Sequence, residues 1–161
     1  MTDAKDKFTG LVKSFKVAML ATQSADGFIR ARPMTIAEAE DDGSMWFLTS
    51  RNGWSKELEE DVPTVVTMQS PHRYVTVTGM AHLVDDRRRI HKLWNVGMQP
   101  WFPEGPESED VCLVHFVSTE GEYWDSSGRN GLRYLFEAAK AVAEGRRVDS
   151  RDDREHASIT T

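Results

Sequence analysis

The sequence predicts a mainly β protein, a β-barrel with appended α-helices. Three observations support this: six or seven short runs rich in Val, Thr and aromatic residues, turn residues between them, and few segments with helical periodicity. Short strands in a meander-like order favour a barrel over alternating β-α-β units. The length of 161 residues suits one domain, which we place at residues 1–145, followed by a polar, mobile tail at 146–161.

The first elements are a helix and a hairpin. Apolar residues recur at helical spacing from Phe8 to Phe15, which predicts a short amphipathic helix. Val17–Thr22 is a compact apolar run that predicts the first strand. The Asp26-Gly27 pair is a strong turn signal, and the second strand, FIRARPMT, follows it at residues 28–35.

The remaining elements follow from the same signals. Five further strands are predicted where β-formers lie between turn residues: Met45–Thr49, Thr64–Gln69, Tyr74–Thr78, Val111–Val117 and Glu122–Trp124. Three further helices are predicted beside turn or capping residues: Trp54–Glu60, Arg87–Trp94 and Leu132–Glu144. Between them, the Pro-rich loop that contains Trp101 and Phe102 is expected to pack onto another part of the protein.

Composition narrows the range of partners and locations. The net charge of −6 disfavours nucleic-acid binding. No apolar stretch approaches the roughly 20 residues that span a bilayer, and the N-terminal residues are too polar for a signal peptide. We therefore expect a cytoplasmic protein with no nucleic-acid and no membrane partner. The one cysteine, Cys112, lies in an apolar run and is expected in the core.

Signatures of several common sites are missing from the sequence. It has no G-x-G-x-x-G after a strand and no G-x-x-x-x-G-K-[ST], so neither a Rossmann site nor a P-loop is indicated. The five histidines lack the spacing of a zinc-binding motif, and we predict no metal site. No G-x-S-x-G supports a serine nucleophile.

The strand at residues 28–35 carries the first candidate site residues. Alternate side chains of a strand lie on opposite faces, and we assign the face with Ile29 to the barrel interior. Arg30 and Arg32 then share the other face, where guanidinium groups could meet an anionic or planar ligand; a solvent-exposed face with carboxylate partners fits equally. Pro33 cannot donate a backbone hydrogen bond, which predicts an edge or bulge open to a ligand.

The segment MWFLTSRNGWSK carries the second group. Both faces of its strand are apolar, which predicts cover by a core on one side and by a partner or cofactor on the other. Hydroxyl and cationic side chains then cluster before a predicted helix start, at Thr49, Ser50, Arg51, Ser55 and Lys56. This cluster could hold a phosphate, although an ordinary capped helix is the simpler interpretation of the segment alone.

Taken in order, the motifs RPM, WFLTS followed by Lys, YVTVTG, WFPEGP and EYWD resemble a known family. The chain is similar to the FMN-binding split barrels related to pyridoxamine 5′-phosphate oxidase, in particular the general stress protein 26 branch, from about residue 17 to residue 125. The resemblance implies a six-stranded antiparallel FMN-binding split barrel with flanking helices. It also implies a homodimer with flavin at the interface.

The same resemblance implies a flavin site, with FMN favoured over FAD or another flavin. Its residues would be Arg30, Arg32, Pro33, Met34, Thr35, Phe47, Leu48, Thr49, Ser55, Lys56 and Trp124. Residues 30–35 would line the isoalloxazine, residues 47–49 would follow the ribityl chain, and Ser55 with Lys56 would hold the phosphate. Trp124 resembles a tryptophan that reaches the flavin from the other subunit.

Two departures from the oxidase pattern bear on activity. Tyr74 stands where that family typically has Gln, and residues 131–134 read GLRY in place of its C-terminal Arg-Leu-His-Asp-Arg signature. True pyridoxamine 5′-phosphate oxidation is therefore disfavoured, and no catalytic residue can be assigned. The resemblance favours an FMN-dependent oxidoreductase with a small-molecule electron donor or acceptor, and leaves open a non-catalytic flavin-binding or storage stress protein.

Overall fold

A computed structural model describes residues 3–53, 57–127 and 156–161. In this part of the chain there are two α-helices, α1 (Asp3–Ser14) and α2 (Arg87–Leu93). Seven strands make up the sheet: β1 (Val17–Gln23), β2 (Ile29–Ala39), β3 (Met45–Ser50), β4 (Val62–Ser70), β5 (Arg73–Val84), β6 (Val111–Asp125) and β7 (His156–Thr160). Short 3-10 helices occur at Arg51–Gly53, Val96–Met98 and Gly105–Glu107.

The first six strands close into an antiparallel barrel, which confirms the predicted fold class. β1-β2-β3 and β4-β5-β6 are two meanders, joined by pairing of β1 with β4 and of β3 with β6. β6 pairs with β3 over residues 111–116 and with β7 over residues 120–124. Because β5 pairs with β6 along its other edge, β3 and β7 lie one after the other along the same edge of β6.

The barrel interior is a continuous apolar core. Residues from several strands are fully buried in it, among them Leu20, Phe47, Val66, Val77 and Phe116. Helix α1 packs onto this core with its apolar side, as the helical spacing in the sequence predicts.

A second, smaller core lies on the other face of β3. Trp46 and Leu48 pack there with Ile90 of α2 and with Met98 and Phe102 of the following loop. The prediction that β3 is covered on both faces is confirmed. The prediction that a partner or cofactor provides the second cover is wrong for Trp46 and Leu48, because α2 and the loop of the same chain already bury them.

The inward face of β2 differs from the prediction. Ile29 is 74% exposed, whereas Met34 is buried in the barrel core. The pairing with β1 explains this, because residues directly opposite each other share a face and Met34 lies opposite the buried Ala18. Arg32 likewise lies opposite the buried Leu20, at the end of the barrel. The apolar character of Ile29 was therefore misleading as a sign of burial.

The predicted helix Trp54–Glu60 is absent from its described residues. Residues 57–60 form a turn and bends, and residues 54–56 lie outside the described part. Leu58 is fully buried, and its carbonyl accepts a hydrogen bond from the Leu83 N–H of β5 at 2.9 Å. This bond ties the backbone to the sheet, where a helix would have bonded within itself. The predicted helix Leu132–Glu144 also lies outside the described residues.

Two predicted strands, Val111–Val117 and Glu122–Trp124, form the single strand β6. The register shifts where Thr78 lies opposite Glu120 and Gly79 lies opposite Ser118, so Thr119 is the extra residue of a β-bulge. A bulge interrupts the alternation of side chains, and the sequence pattern breaks at the same place.

The expected mobile tail at 146–161 is wrong for residues 156–160, which form β7. Ala157 and Ile159 alternate along this strand and pack partly buried against the barrel core. The Thr161 N–H donates to the Thr119 carbonyl at 2.9 Å, beyond the last pair of the ladder. Two apolar residues among polar neighbours gave no strand signal, yet the free edge of β6 is sufficient to pair with them.

Candidate functional site

β2 and β3 separate along part of their length and leave a cleft. Their pairing extends from the pair formed by Ala39 and Met45 to the pair formed by Ile36 and Phe47. The register shifts next to Ile36. Beyond that point β2 continues along β1, and β3 continues along β6. The gap opens into a cavity of about 410 Å³, lined by Pro33, Met34, Thr35, Leu48, Thr49, Ser50, Met98, Trp101, Phe102 and Asp110.

The backbone of β2 presents polar groups to this cleft. The Ile36 N–H donates to the Lys16 carbonyl at 2.9 Å, so Ile36 directs its backbone groups toward the β1 side. Because the direction alternates along a strand, the N–H of Thr35 and the carbonyls of Pro33 and Thr35 point toward the cleft side. The ring nitrogen of Pro33 faces the same side, in agreement with its predicted place at a strand edge.

The loop after α2 forms the outer wall of the cleft. Phe102 is buried in the second core, 6.2 Å from the Trp94 ring centroid, whereas the adjacent Trp101 is 78% exposed. The N–H groups of both Trp101 and Phe102 donate to the Met98 carbonyl at 3.1 Å. The expectation that this loop packs onto the protein is confirmed, and its hydrogen bonds hold Trp101 beside the cleft.

Asp110 fixes the end of β3 at the cleft. Its carboxylate accepts hydrogen bonds from the Ser50 hydroxyl at 2.6 Å and the Asn52 N–H at 3.2 Å. Its backbone carbonyl accepts the Arg51 N–H at 2.7 Å. The Arg51 guanidinium pairs with Asp85. Ser50 and Arg51, two members of the predicted phosphate cluster, are therefore bound to carboxylates.

Two basic side chains, Arg30 and Arg32, lie at the N-terminal end of β2, next to the cleft residues 33–35. Arg30 forms an exposed ion pair with Asp26 at 2.7 Å, which lowers the pKa of that carboxyl. Arg32 donates to the Gly53 carbonyl at 3.3 Å and lies 3.5 Å from a Glu57 carboxylate oxygen. Arg32 thus contacts the residues on both sides of segment 54–56. Ser55 and Lys56 belong to that segment and lie outside the described residues.

The structure brings together part of the predicted site. Five of the predicted residues line the cleft: Pro33, Met34, Thr35, Leu48 and Thr49. The Phe47 side chain points into the barrel core and is fully buried. Trp124 lies on the outer face of the barrel, 39% exposed and opposite Tyr74. Ser50, a member of the predicted phosphate cluster, also lines the cleft. No sequence signal pointed to Met98 or Asp110, because the closed barrel, and not a local motif, brings them close to β2 and β3.

Large apolar side chains are exposed on the outer face of the sheet formed by β2, β1, β4, β5 and β6. They are Val17, Met19, Ile29, Tyr74, Val117 and Trp124. The strand registers put them on one side, because their neighbours in sequence point into the barrel. An exposed apolar face of this kind marks a surface for contact with another molecule.

Other classes of site find little support in residues 3–53, 57–127 and 156–161. In this part no three His, Cys, Asp or Glu side chains are grouped so that they could hold a metal ion. Cys112 is buried, and burial raises the pKa of its thiol to about 11. The prediction of a core cysteine is confirmed. In the same residues, no helix combines the length and the apolar character that a bilayer crossing requires.

Outside the cleft, the Trp46 ring is in contact with two basic side chains, those of His115 and Arg89. The His115 ring stacks on it with centroids 3.8 Å apart, and the Arg89 guanidinium lies 3.8 Å from the Trp46 ring centroid. Burial lowers the pKa of His115, and the nearby His82 lowers it further, against an opposing effect of Glu40. The neutral imidazole therefore suits this stack.

We expect His115 to make the protein less stable in mild acid. Its folded pKa lies below the unfolded value of about 6.5, so its contribution is present above that pH and is lost as pH falls toward the folded pKa. Urea unfolding at about pH 7.5 and 5.5 should show a smaller loss of stability for His115→Gln than for wild type. His72→Gln, at an exposed position in the turn between β4 and β5, serves as control. An equal loss in wild type and His115→Gln would contradict this expectation.

Comparison with known proteins agrees with the barrel fold. The sequence model of the family described as "Pyridoxamine 5′-phosphate oxidase like" matches residues 3–149. A structure described as general stress protein 26 from Jannaschia sp. CCS1 is 26% identical with a TM-score of 0.72, and the match covers 100% of both chains. The general stress FMN/FAD binding protein from Xanthomonas citri is 23% identical with a TM-score of 0.65, covering 79% of this chain and 91% of that one. None of the curated proteins compared with the chain matches it significantly.

Proposed function

The chain belongs to the pyridoxamine 5′-phosphate oxidase-like family, and from this premise we propose that it binds FMN in the cleft between β2 and β3. The observation that carries the proposal is the cleft itself. It combines apolar walls from Met34 and Leu48 with backbone donors and acceptors at Pro33 and Thr35. The pyrimidine edge of a flavin ring carries N–H and carbonyl groups that can bind such a backbone edge.

The relatives support a flavin as the ligand. The Xanthomonas citri protein with the same fold is named as binding FMN/FAD. Within this chain, β2 runs from the apolar cleft at Thr35 toward the basic residues Arg32 and Arg30. A flavin ring beside residues 33–35 would therefore direct its ribityl phosphate toward Arg32 and segment 54–56. We assign phosphate binding to Lys56 and Ser55 of that segment, with a contribution from Arg32.

We assign the exposed apolar sheet face to a homodimer. It includes the outer surface of β2, one of the two strands that border the cleft, and Ile29 and Trp124 belong to it. A partner seated there would lie next to the open edge of β2. In this arrangement Trp124 would reach the flavin of the partner subunit, and Phe47 would support the site from the barrel core without touching the cofactor.

An FMN-dependent oxidoreductase of the cytoplasm is the activity we favour, with a small-molecule electron donor or acceptor. A bound flavin would supply the electron transfer chemistry. The residues of the chain would orient the ring through the β2 backbone and support it with the apolar walls of Met34 and Leu48. Of the described lining residues, Asp110 alone can exchange a proton, and it already accepts two hydrogen bonds. This scarcity of acid–base groups favours the second candidate, a flavin-binding stress protein without turnover.

Titration with flavin tests the proposal. Wild-type protein is expected to quench FMN fluorescence with a Kd of about 10 μM or tighter. Thr35→Trp places a bulky ring at the exposed cleft edge and should weaken binding about tenfold or more. Lys5→Trp, at an exposed position of α1 away from the cleft and from the apolar sheet face, should not. No binding of FMN, FAD or riboflavin by the wild type would reject the proposed function.

Anaerobic addition of NADH or NADPH to the FMN-loaded protein separates the two candidate functions. Bleaching of the bound flavin favours an enzyme over a binding protein without turnover.

A further inference from the structure

We propose that the outer part of the cleft binds a second ligand beside the flavin, a planar aromatic molecule that carries no negative charge. The site is formed by Met98, Trp101, Phe102 and Asp110. This inference rests on the proposed flavin function, because it assigns only the part of the cleft beyond residues 33–35 and 48–49. The ligand would be the small molecule that meets the flavin.

The aromatic wall is the first argument. Trp101 is 78% exposed although it belongs to a loop whose backbone is fixed by hydrogen bonds to the Met98 carbonyl. The Gln99 amide also donates to the Pro103 carbonyl at 2.9 Å and closes the loop. A large ring held in place beside a cleft provides a stacking surface at little cost in conformational entropy.

The charge of the wall is the second argument. Asp110 is the one residue with a formal charge among the described residues that line the cleft. The Ser50 hydroxyl and the Asn52 N–H hold its carboxylate in place. The guanidinium of Arg51, the residue between these two in sequence, is paired with Asp85. A carboxylate without a cation in the lining repels an anionic ligand and tolerates a neutral or cationic one. Phosphorylated and carboxylated substrates are therefore disfavoured in this part of the cleft.

A matched pair of quinones tests the inference. 2-Methyl-1,4-naphthoquinone and 1,4-naphthoquinone-2-sulfonate share a ring system and differ in charge at one position. In equilibrium dialysis against the oxidised, FMN-loaded protein, the methyl compound is expected to bind at least about fivefold more tightly. Raising the salt concentration from about 0.05 M to 0.5 M should narrow this ratio, because salt screens the Asp110 charge at an open cleft.

Variants assign the effect to particular side chains. Trp101→Ala should weaken both quinones by about tenfold and leave FMN affinity unchanged, while Val96→Ala, an equally exposed apolar residue of the same loop, should change neither. Asp110→Asn keeps a hydrogen-bond acceptor for Ser50 and should bring the ratio of the two affinities close to one.

Several outcomes would overturn the inference. Equal affinity of the two quinones for the loaded wild type, a ratio that does not respond to salt, or unchanged quinone binding by Trp101→Ala would each reject it while flavin binding stands. Absence of FMN binding by the wild type would instead reject the proposed function, and the inference with it.

Discussion

Replacing Lys56 by Ala should weaken FMN about 10- to 150-fold and leave riboflavin almost unaffected. A charge-assisted hydrogen bond to a phosphate contributes roughly 1.5–3 kcal/mol, and riboflavin has no phosphate to lose. In the sequence, Lys56 falls between Gly53 and Glu57, the two residues that Arg32 contacts at the basic end of β2. Flavin fluorescence quenching measures both affinities in the same buffer.

The comparison of two flavins separates a phosphate contact from a loss of folding. A general destabilisation would weaken both ligands together and would also lower the melting temperature without ligand. Lys92→Ala removes the same charge from an exposed position of α2 and controls for the change in net charge. Equal effects of Lys56→Ala on FMN and riboflavin, or no effect on either, would remove the phosphate role assigned to this residue.

Replacing Gly79 by Ala should destabilise the barrel by about 3 kcal/mol or more. Gly79 lies at the β-bulge between β5 and β6, where a Cβ atom would stand 2.0 Å from the Val117 carbonyl oxygen. That oxygen belongs to Val117, which pairs with Met80 of β5, so it cannot move without disturbing this pairing. For a domain of this size, the melting temperature should fall by about 6–12 °C.

Gly10→Ala is the matched control for this substitution. Gly10 lies within α1, and a Cβ atom there would have nothing within 4 Å. Alanine should therefore stabilise the helix by about 0.5–1 kcal/mol, the opposite sign to Gly79→Ala. Thermal melts followed by circular dichroism measure both changes. A Gly79→Ala protein as stable as wild type would show that the two strands can separate more easily than the bulge geometry suggests.

The elements that the sequence predicts well are those with a strong local pattern. The apolar spacing from Phe8 to Phe15, the Asp26-Gly27 turn and the aspartate before α2 are local signals, and all three correspond to observed elements. The Asp86 side chain accepts the Arg89 N–H, as a helix cap should. The local pattern was insufficient where pairing with another strand decides which side chains are buried or whether a helix forms.

Pairing with distant strands explains the predictions that were wrong. Ile29 points outward because Ala18 and Leu20 of β1 fix the face of β2, a choice that alternation alone leaves undecided. Leu58 anchors the backbone to β5 and prevents the predicted helix at residues 57–60. In the cleft, the strand residues 33–35 and 48–49 could be predicted by resemblance, whereas Met98 and Asp110 come from a distant loop that only the closed barrel brings near.

An open strand edge is a template on which another chain can add a strand, and β2 has such an edge from Ile29 to Thr35 on the side away from β1. Pro33 lies in the middle of that edge. Its ring nitrogen faces outward without a hydrogen to donate, so an incoming strand would lose a hydrogen bond there and meet the ring. The residue that keeps the cleft open to a small planar ligand therefore also protects the protein against edge-to-edge aggregation when no ligand is bound.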